Sequence, residues 1–125
     1  MLSENDMVNA RNILESCFTD KCNIDEIVKI KNQHSVFEER IIPLCQNTPC
    51  KISFKQSRYI INEKNFIRKN EAATLFLPYN TEITENCIFS VKHCGEVMKF
   101  SVCGNIRRYQ THTEVSLNRI YPQFT

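Results

Sequence analysis

Seven cysteines and three histidines carry most of the chemistry that this 125-residue chain can offer. Cys17, Cys22, Cys45 and Cys50 lie in the first half, and Cys87, Cys94 and Cys103 form a ladder in the second. So many thiols in a short chain serve as a disulfide framework, as a metal site or as reduced structural side chains. Spacing favours disulfides. Cys17/Cys22 and Cys45/Cys50 each have four residues between them and Cys87/Cys94 has six, so the CxxC knuckle of zinc modules is absent. The metal alternative is a small zinc-binding adaptor using Cys87, His93, Cys94 and Cys103. The odd total leaves one thiol without an internal partner, which in an oxidising compartment favours a disulfide-linked homodimer.

Nucleophilic catalysis has less to draw on. Cys94 follows His93 directly, but adjacent residues of a strand point to opposite faces, so the two are expected not to meet. The only glycines are Gly95 and Gly104, which excludes a P-loop, a dinucleotide fingerprint and a nucleophile elbow. His34, His93 and His112 are scattered, with no HExxH pair. The chain reads as a protein that is not an enzyme and has no cofactor. Arg107-Arg108 beside Tyr109 makes too small a cluster for a nucleic-acid surface, and a net charge of +2 predicts no polyanion partner.

The elements that must hold these residues are mostly strands. Ile88 to His93 and Glu96 to Val102 alternate apolar and polar side chains around Cys94-Gly95, the pattern of a β-hairpin. Cys50, Ile52 and Phe54 fall on one face of another strand, with β character continuing over Arg58 to Asn62. Glu63 to Glu71 reads as a charged loop or edge, and Ala72 to Leu77 as a strand ended by the turn signal Pro78-Tyr79-Asn80. Gly104-Asn105 breaks the ladder, and Thr113 to Tyr121 is the last strand, with Val115 and Leu117 on one face. Upstream, Met7, Ala10, Ile13 and Leu14 recur at helical spacing after Ser3, an available N-cap. Asp25 to Lys31 and Phe37 to Ile42, the latter stopped by Pro43, are expected to be short helical turns within an inserted segment, residues 23–44. That segment either docks on the core or presents a binding surface. The sum is one all-β domain over residues 1–125, a sandwich with a partly helical N-terminal arm or insertion.

Thr48-Pro-Cys50-Lys-Ile-Ser-Phe-Lys-Gln-Ser-Arg-Tyr-Ile, with Arg68-Lys69 and Ala73 downstream and the Cys87/Cys94/Cys103 ladder, resembles the immunoglobulin-like accessory proteins of SARS-related coronaviruses. The likeness is to the open reading frame eight type and, more distantly, to the open reading frame seven-a ectodomain. It covers the chain outside residues 23–44. It implies an immunoglobulin-like β-sandwich with bridges Cys22–Cys94 and Cys50–Cys103, Cys45 taking over as the partner of Cys87, and Cys17 left for an intermolecular bond. Two such bridges, each closing a loop of more than about fifty residues, would contribute on the order of 4 kcal/mol apiece. Alternation places Cys103 opposite Met98, Phe100 and Val102, so the Cys50 bridge calls for a β-bulge near Val102.

The resemblance further implies a secreted or endoplasmic-reticulum protein of viral origin that binds host immune receptors or MHC class I in immune evasion. The chain begins without a leader and carries no membrane span, so a signal peptide would have been removed. No Asn-x-Ser/Thr sequon adds support for secretion. A different class, an intracellular ADP-ribosyltransferase-like remnant, is suggested by Ile27 to Glu38, although the chain lacks a Gly-rich NAD pocket.

Overall fold

The computed structural model describes residues 3–55, 58–61, 67–70 and 72–121, without the side chains of 58–61 and 67–70. A helix, α1 (Glu4–Ser16), precedes eight strands: β1 (Asp20–Lys31), β2 (Phe37–Phe54), β3 (Arg58–Ile61), β4 (Ile67–Asn70), β5 (Ala72–Pro78), β6 (Cys87–His93), β7 (Glu96–Arg108) and β8 (His112–Ile120). All the pairings are antiparallel. Six strands follow one another in the order β1-β2-β5-β8-β7-β6, and β6 returns to β1, while β3 and β4 form a small separate hairpin.

The all-β expectation therefore holds, but the ladder runs round into one closed barrel where two facing sheets were expected. Closure needs curvature, and bulges supply it. One lies in β1–β2 between Cys22 and Asp25, and a second lies in β7–β8 between Val102 and Ile106, where Gly104 takes φ +90°. The expected break at Gly104-Asn105 is thus a bulge within a continuous strand, because Gly tolerates the left-handed backbone that a bend of this kind requires.

Strict alternation fills the barrel. Leu75 and Leu77 of β5, Phe89 and Val91 of β6, Phe100 of β7, and Val115 and Leu117 of β8 are wholly buried, with Ile24 of β1 and Cys50 of β2 beside them. Their outward neighbours are half-buried or exposed, the period-two pattern of a strand with one dry face. Ser3 caps α1 by accepting the Asp6 amide at 3.1 Å, and the Asp6 carboxylate accepts the Ser3 amide in return. The helix buries no residue fully. Arg11 ties it to the barrel, with its guanidinium 3.6 Å from the Tyr79 ring centroid and its Nε donating to the Gln110 carbonyl at 2.8 Å. Among the described residues no helix is long and apolar enough to cross a membrane.

The two helical turns expected at Asp25 to Lys31 and Phe37 to Ile42 are strand instead. Glu26↔Ile42, Ile27↔Ile41 and Val28↔Arg40 pair in sequence down to Lys31↔Phe37. A paired ladder with several β-branched side chains outweighs the weak helical spacing of the same residues. Pro43 does not stop β2, because the far edge of the strand meets no third strand there and loses nothing by lacking an N–H.

Candidate functional site

β1 meets β6 only from Lys21 to Glu26, and β2 meets β5 only from Lys51 to Phe54. Beyond those limits, among the described residues, the two strands pair only with each other, apart from the Ile27 amide, which donates to the Asn86 carbonyl, so residues 27–42 form a two-stranded arm leaving the barrel. Its tip is a loop built by Asn32, whose Oδ1 accepts the amides of His34 and Val36 and whose amide donates to the Val36 carbonyl. Ser35 sits at φ +61° to complete the reversal.

The arm displays apolar side chains to solvent. Phe37 and Ile41, four apart on β2 and hence on one face, are 67% and 69% exposed, and Val36 is 57% exposed. Ile30 and Ile42 lie on the opposite face, also exposed. The arm also carries charge: Lys29 and Lys31 stand on β1, and Glu38, Glu39 and Arg40 on β2, with Lys29 opposite Glu39. At the root of the arm an open groove of about 690 Å³ is lined by Glu26, Lys29, Glu39, Asn86 and Ser101, among others. Thr84 donates to Glu26 there at 2.6 Å. Two backbone edges that meet no third strand among the described residues, together with uncovered apolar side chains, make a surface suited to strand addition.

The seven cysteines are spread over the end of the helix, the strands and the β6–β7 turn. All seven are free thiols. Cys22 is buried on β1, whereas Cys94 is exposed in the β6–β7 turn, so that pair is not brought together. Cys50 on β2 and Cys103 on β7 are separated around the wall by β5 and β8, and the bulge near Val102 does not join them. Half-buried Cys45 lies opposite Ile24, while the buried Cys87 sulfur accepts the Thr84 amide at 3.3 Å. The neighbours in space are Cys22 and Cys50, inside the barrel. Their mutual hydrogen bond, and then burial, push the Cys50 thiol far above the ordinary range, so it stays protonated and packs as a small apolar side chain. Cys17 is exposed at the C-terminus of α1, its sulfur 3.6 Å from the Ile13 carbonyl.

Cys87 and His93 begin and end β6, which separates two members of the zinc alternative. No metal-holding cluster occurs among the described residues. The stretch Ile27 to Glu38, the source of the ADP-ribosyltransferase alternative, is the arm itself. Arg107 engages Glu114 at 3.3 Å, and Arg108 donates to the carbonyls of Thr81 and Ile83, so both arginines are used within the fold.

His93 and Cys94, expected to point apart, do meet. His93 pairs with Glu96 as the last rung of the hairpin, so Cys94 and Gly95 form a two-residue turn with φ +50° and +82°, close to type I′. The turn swings the Cys94 sulfur to 3.4 Å from His93 Nε2. The other ring nitrogen, Nδ1, lies 2.7 Å from Oδ1 of Asp20, a carboxylate only 4% exposed. Oδ2 of Asp20 accepts the Ile52 amide at 3.0 Å, and Phe54 packs edge-on to the imidazole at 5.5 Å. Asp20 was not singled out from the sequence. Alternation with Cys22 and Ile24 was the available signal that it points inward.

No family model matches the chain, and no curated protein matches it. Among solved structures, that of the phage-like element PBSX protein xkdH from Bacillus subtilus is similar, with a TM-score of 0.52 and 17% identity over 79% of this chain and 91% of that one. At that identity the likeness is one of fold.

Proposed function

We propose that this protein is a non-catalytic assembly subunit, a component of a phage-like element, which joins to further copies of itself through the 27–42 arm. The observation that carries this reading is the arm: Phe37 and Ile41 stand uncovered on a ribbon whose edges meet no third strand among the described residues. The outer backbone groups of β1 and β2 in the arm let the arm of one copy add to the opposite edge of the next in a head-to-tail manner. A contact of that kind closes into a ring when its rotation permits. The net charge of +2 offers little repulsion between copies. The phage-like element named for the similar fold supplies the setting. Binding of host immune proteins, implied by the coronavirus resemblance, rested on a stapled sandwich and gains no support from a barrel of free thiols.

Sedimentation velocity over a concentration series, with native mass spectrometry, tests the reading. Wild-type protein should self-associate, and Phe37→Asp with Ile41→Asp should weaken association by roughly a hundredfold or more, since burying each side chain is worth about 1.5–3 kcal/mol. A wild-type protein that stays monomeric at high concentration, or a double variant that assembles equally well, would overturn it.

A further inference from the structure

We propose that Cys94 is a nucleophilic thiol, activated by His93 and oriented through Asp20, that exchanges with low-molecular-weight disulfides. The three side chains stand in the order nucleophile, base and orienting carboxylate. Cys94 Sγ is 3.4 Å from His93 Nε2, and His93 Nδ1 is 2.7 Å from Asp20 Oδ1. A carboxylate accepts from Nδ1–H, which leaves Nε2 as the ring nitrogen able to take a proton from the thiol. Asp20 is itself fixed by the Ile52 amide and by burial, and Phe54 fixes the ring from the side, so the base cannot easily turn away.

The position suits disulfide exchange better than acyl transfer. Cys94 is exposed on a hairpin tip, where a disulfide can approach the sulfur in line, and exchange requires no oxyanion site. In the step, the Cys94 thiol gives its proton to His93 Nε2 and its sulfur bonds to one sulfur of the disulfide R–S–S–R. The S–S bond breaks, and the leaving R–S⁻ takes the proton from His93 and departs as R–SH. Protein thiol and disulfide thus become a mixed disulfide and a free thiol, with no other reactant.

Cys17 is an internal comparison. It too is exposed, but its proton faces the Ile13 carbonyl, an oxygen that cannot accept it outright. The full chain would be treated under native conditions with oxidised glutathione, or with dithiobis-nitrobenzoate as a faster probe, quenched with acid and mapped by peptide mass spectrometry. Cys94 should react roughly tenfold or more faster than Cys17, with general-base assistance supplying the difference. His93→Gln should bring Cys94 down to the rate of Cys17 while leaving Cys17 unchanged, and Asp20→Asn should do so in part. The unchanged rate at Cys17 and continued protection of Cys22 and Cys50 report that each variant is folded. Equal rates at the two sites in the wild type, or a Cys94 rate indifferent to His93→Gln in a folded variant, would overturn the proposal.

Discussion

Replacing Asp20 tests whether a side chain can stand in for a missing strand. β1 starts at Asp20, opposite Cys50, so the amide of Ile52, two residues further along β2, has no β1 residue to meet. Asp20 fills the gap with Oδ2 at 3.0 Å, in a place where water has little access. Asp20→Ala leaves that buried donor unpaired, at about 1–3 kcal/mol. The lost contact to His93, a third of whose side chain is exposed, adds less than about 1 kcal/mol after solvent screening. A total near 2–3 kcal/mol, set against an unfolding entropy of about 0.26 kcal/mol/K for a chain of this size, lowers Tm by roughly 8–12 °C. Asp20→Asn keeps an acceptor for the amide and should cost only about 1 kcal/mol. Calorimetry of the three proteins, with hydrogen exchange at Ile52, gives the comparison. Loss of protection at Ile52 in Asp20→Ala but not in Asp20→Asn is the expected signature. If Asn and Ala destabilise equally, or if neither changes Tm, Asp20 does not complete the ladder.

Thr113 is 1% exposed and its hydroxyl has no hydrogen-bond partner among the described residues, so Thr113→Val, which keeps the shape and removes the stranded group, should raise stability by about 1 kcal/mol in urea denaturation. Burial opposes the charge on Glu114, but hydrogen bonds from His112 and Arg107 outweigh it and hold the carboxyl below its ordinary value of 4.5. The stability this contributes is present in full above that value and is lost as pH falls through the folded one, so Glu114→Gln should flatten the acid limb of stability measured from about pH 6 to about pH 3. Cys94 occupies a left-handed turn position that favours asparagine, and Cys94→Asn should raise the denaturation midpoint by the equivalent of up to about 1 kcal/mol.

The strands with one dry face were legible because alternation reports burial directly. Ala72 to Pro78, Cys87 to His93 and His112 to Ile120 lie within a residue or two of their expected limits, and the turn at Cys94-Gly95 was marked by its glycine. Closure of the barrel was not legible, since the contact that decides it, β6 against β1, joins residues nearly seventy positions apart and leaves no local mark. The same holds for Asp20 with His93. The helical turns expected within 23–44 are strand instead, and the stretch was misread because its strands expose both faces and show no clean period. The cysteines pose a different problem of reading. Spacing cannot tell a thiol that packs as a small apolar side chain from one that bonds, and the partner of Cys50 in space is Cys22, on the adjoining strand.

The burial pattern separates β1 and β2 into two parts with different physical roles. Every core residue lies at or before Ile24 or after Pro49, and the residues of the intervening stretch that pack against the core are Leu44 and Cys45, at its end. The barrel therefore fills itself without the arm. Phe37, Ile41 and Val36 contribute nothing to that interior, and left in water they gain none of the roughly 1.5–3 kcal/mol that burying each would give. A ribbon of two strands is at best marginally stable by itself, so this one draws its order from the barrel at its root, through β6 and the bond from the Ile27 amide to the Asn86 carbonyl. An element held at one end, apolar at the other and dispensable to the core is fitted to complete its burial against a second molecule, and its open edges supply the backbone groups with which to do so.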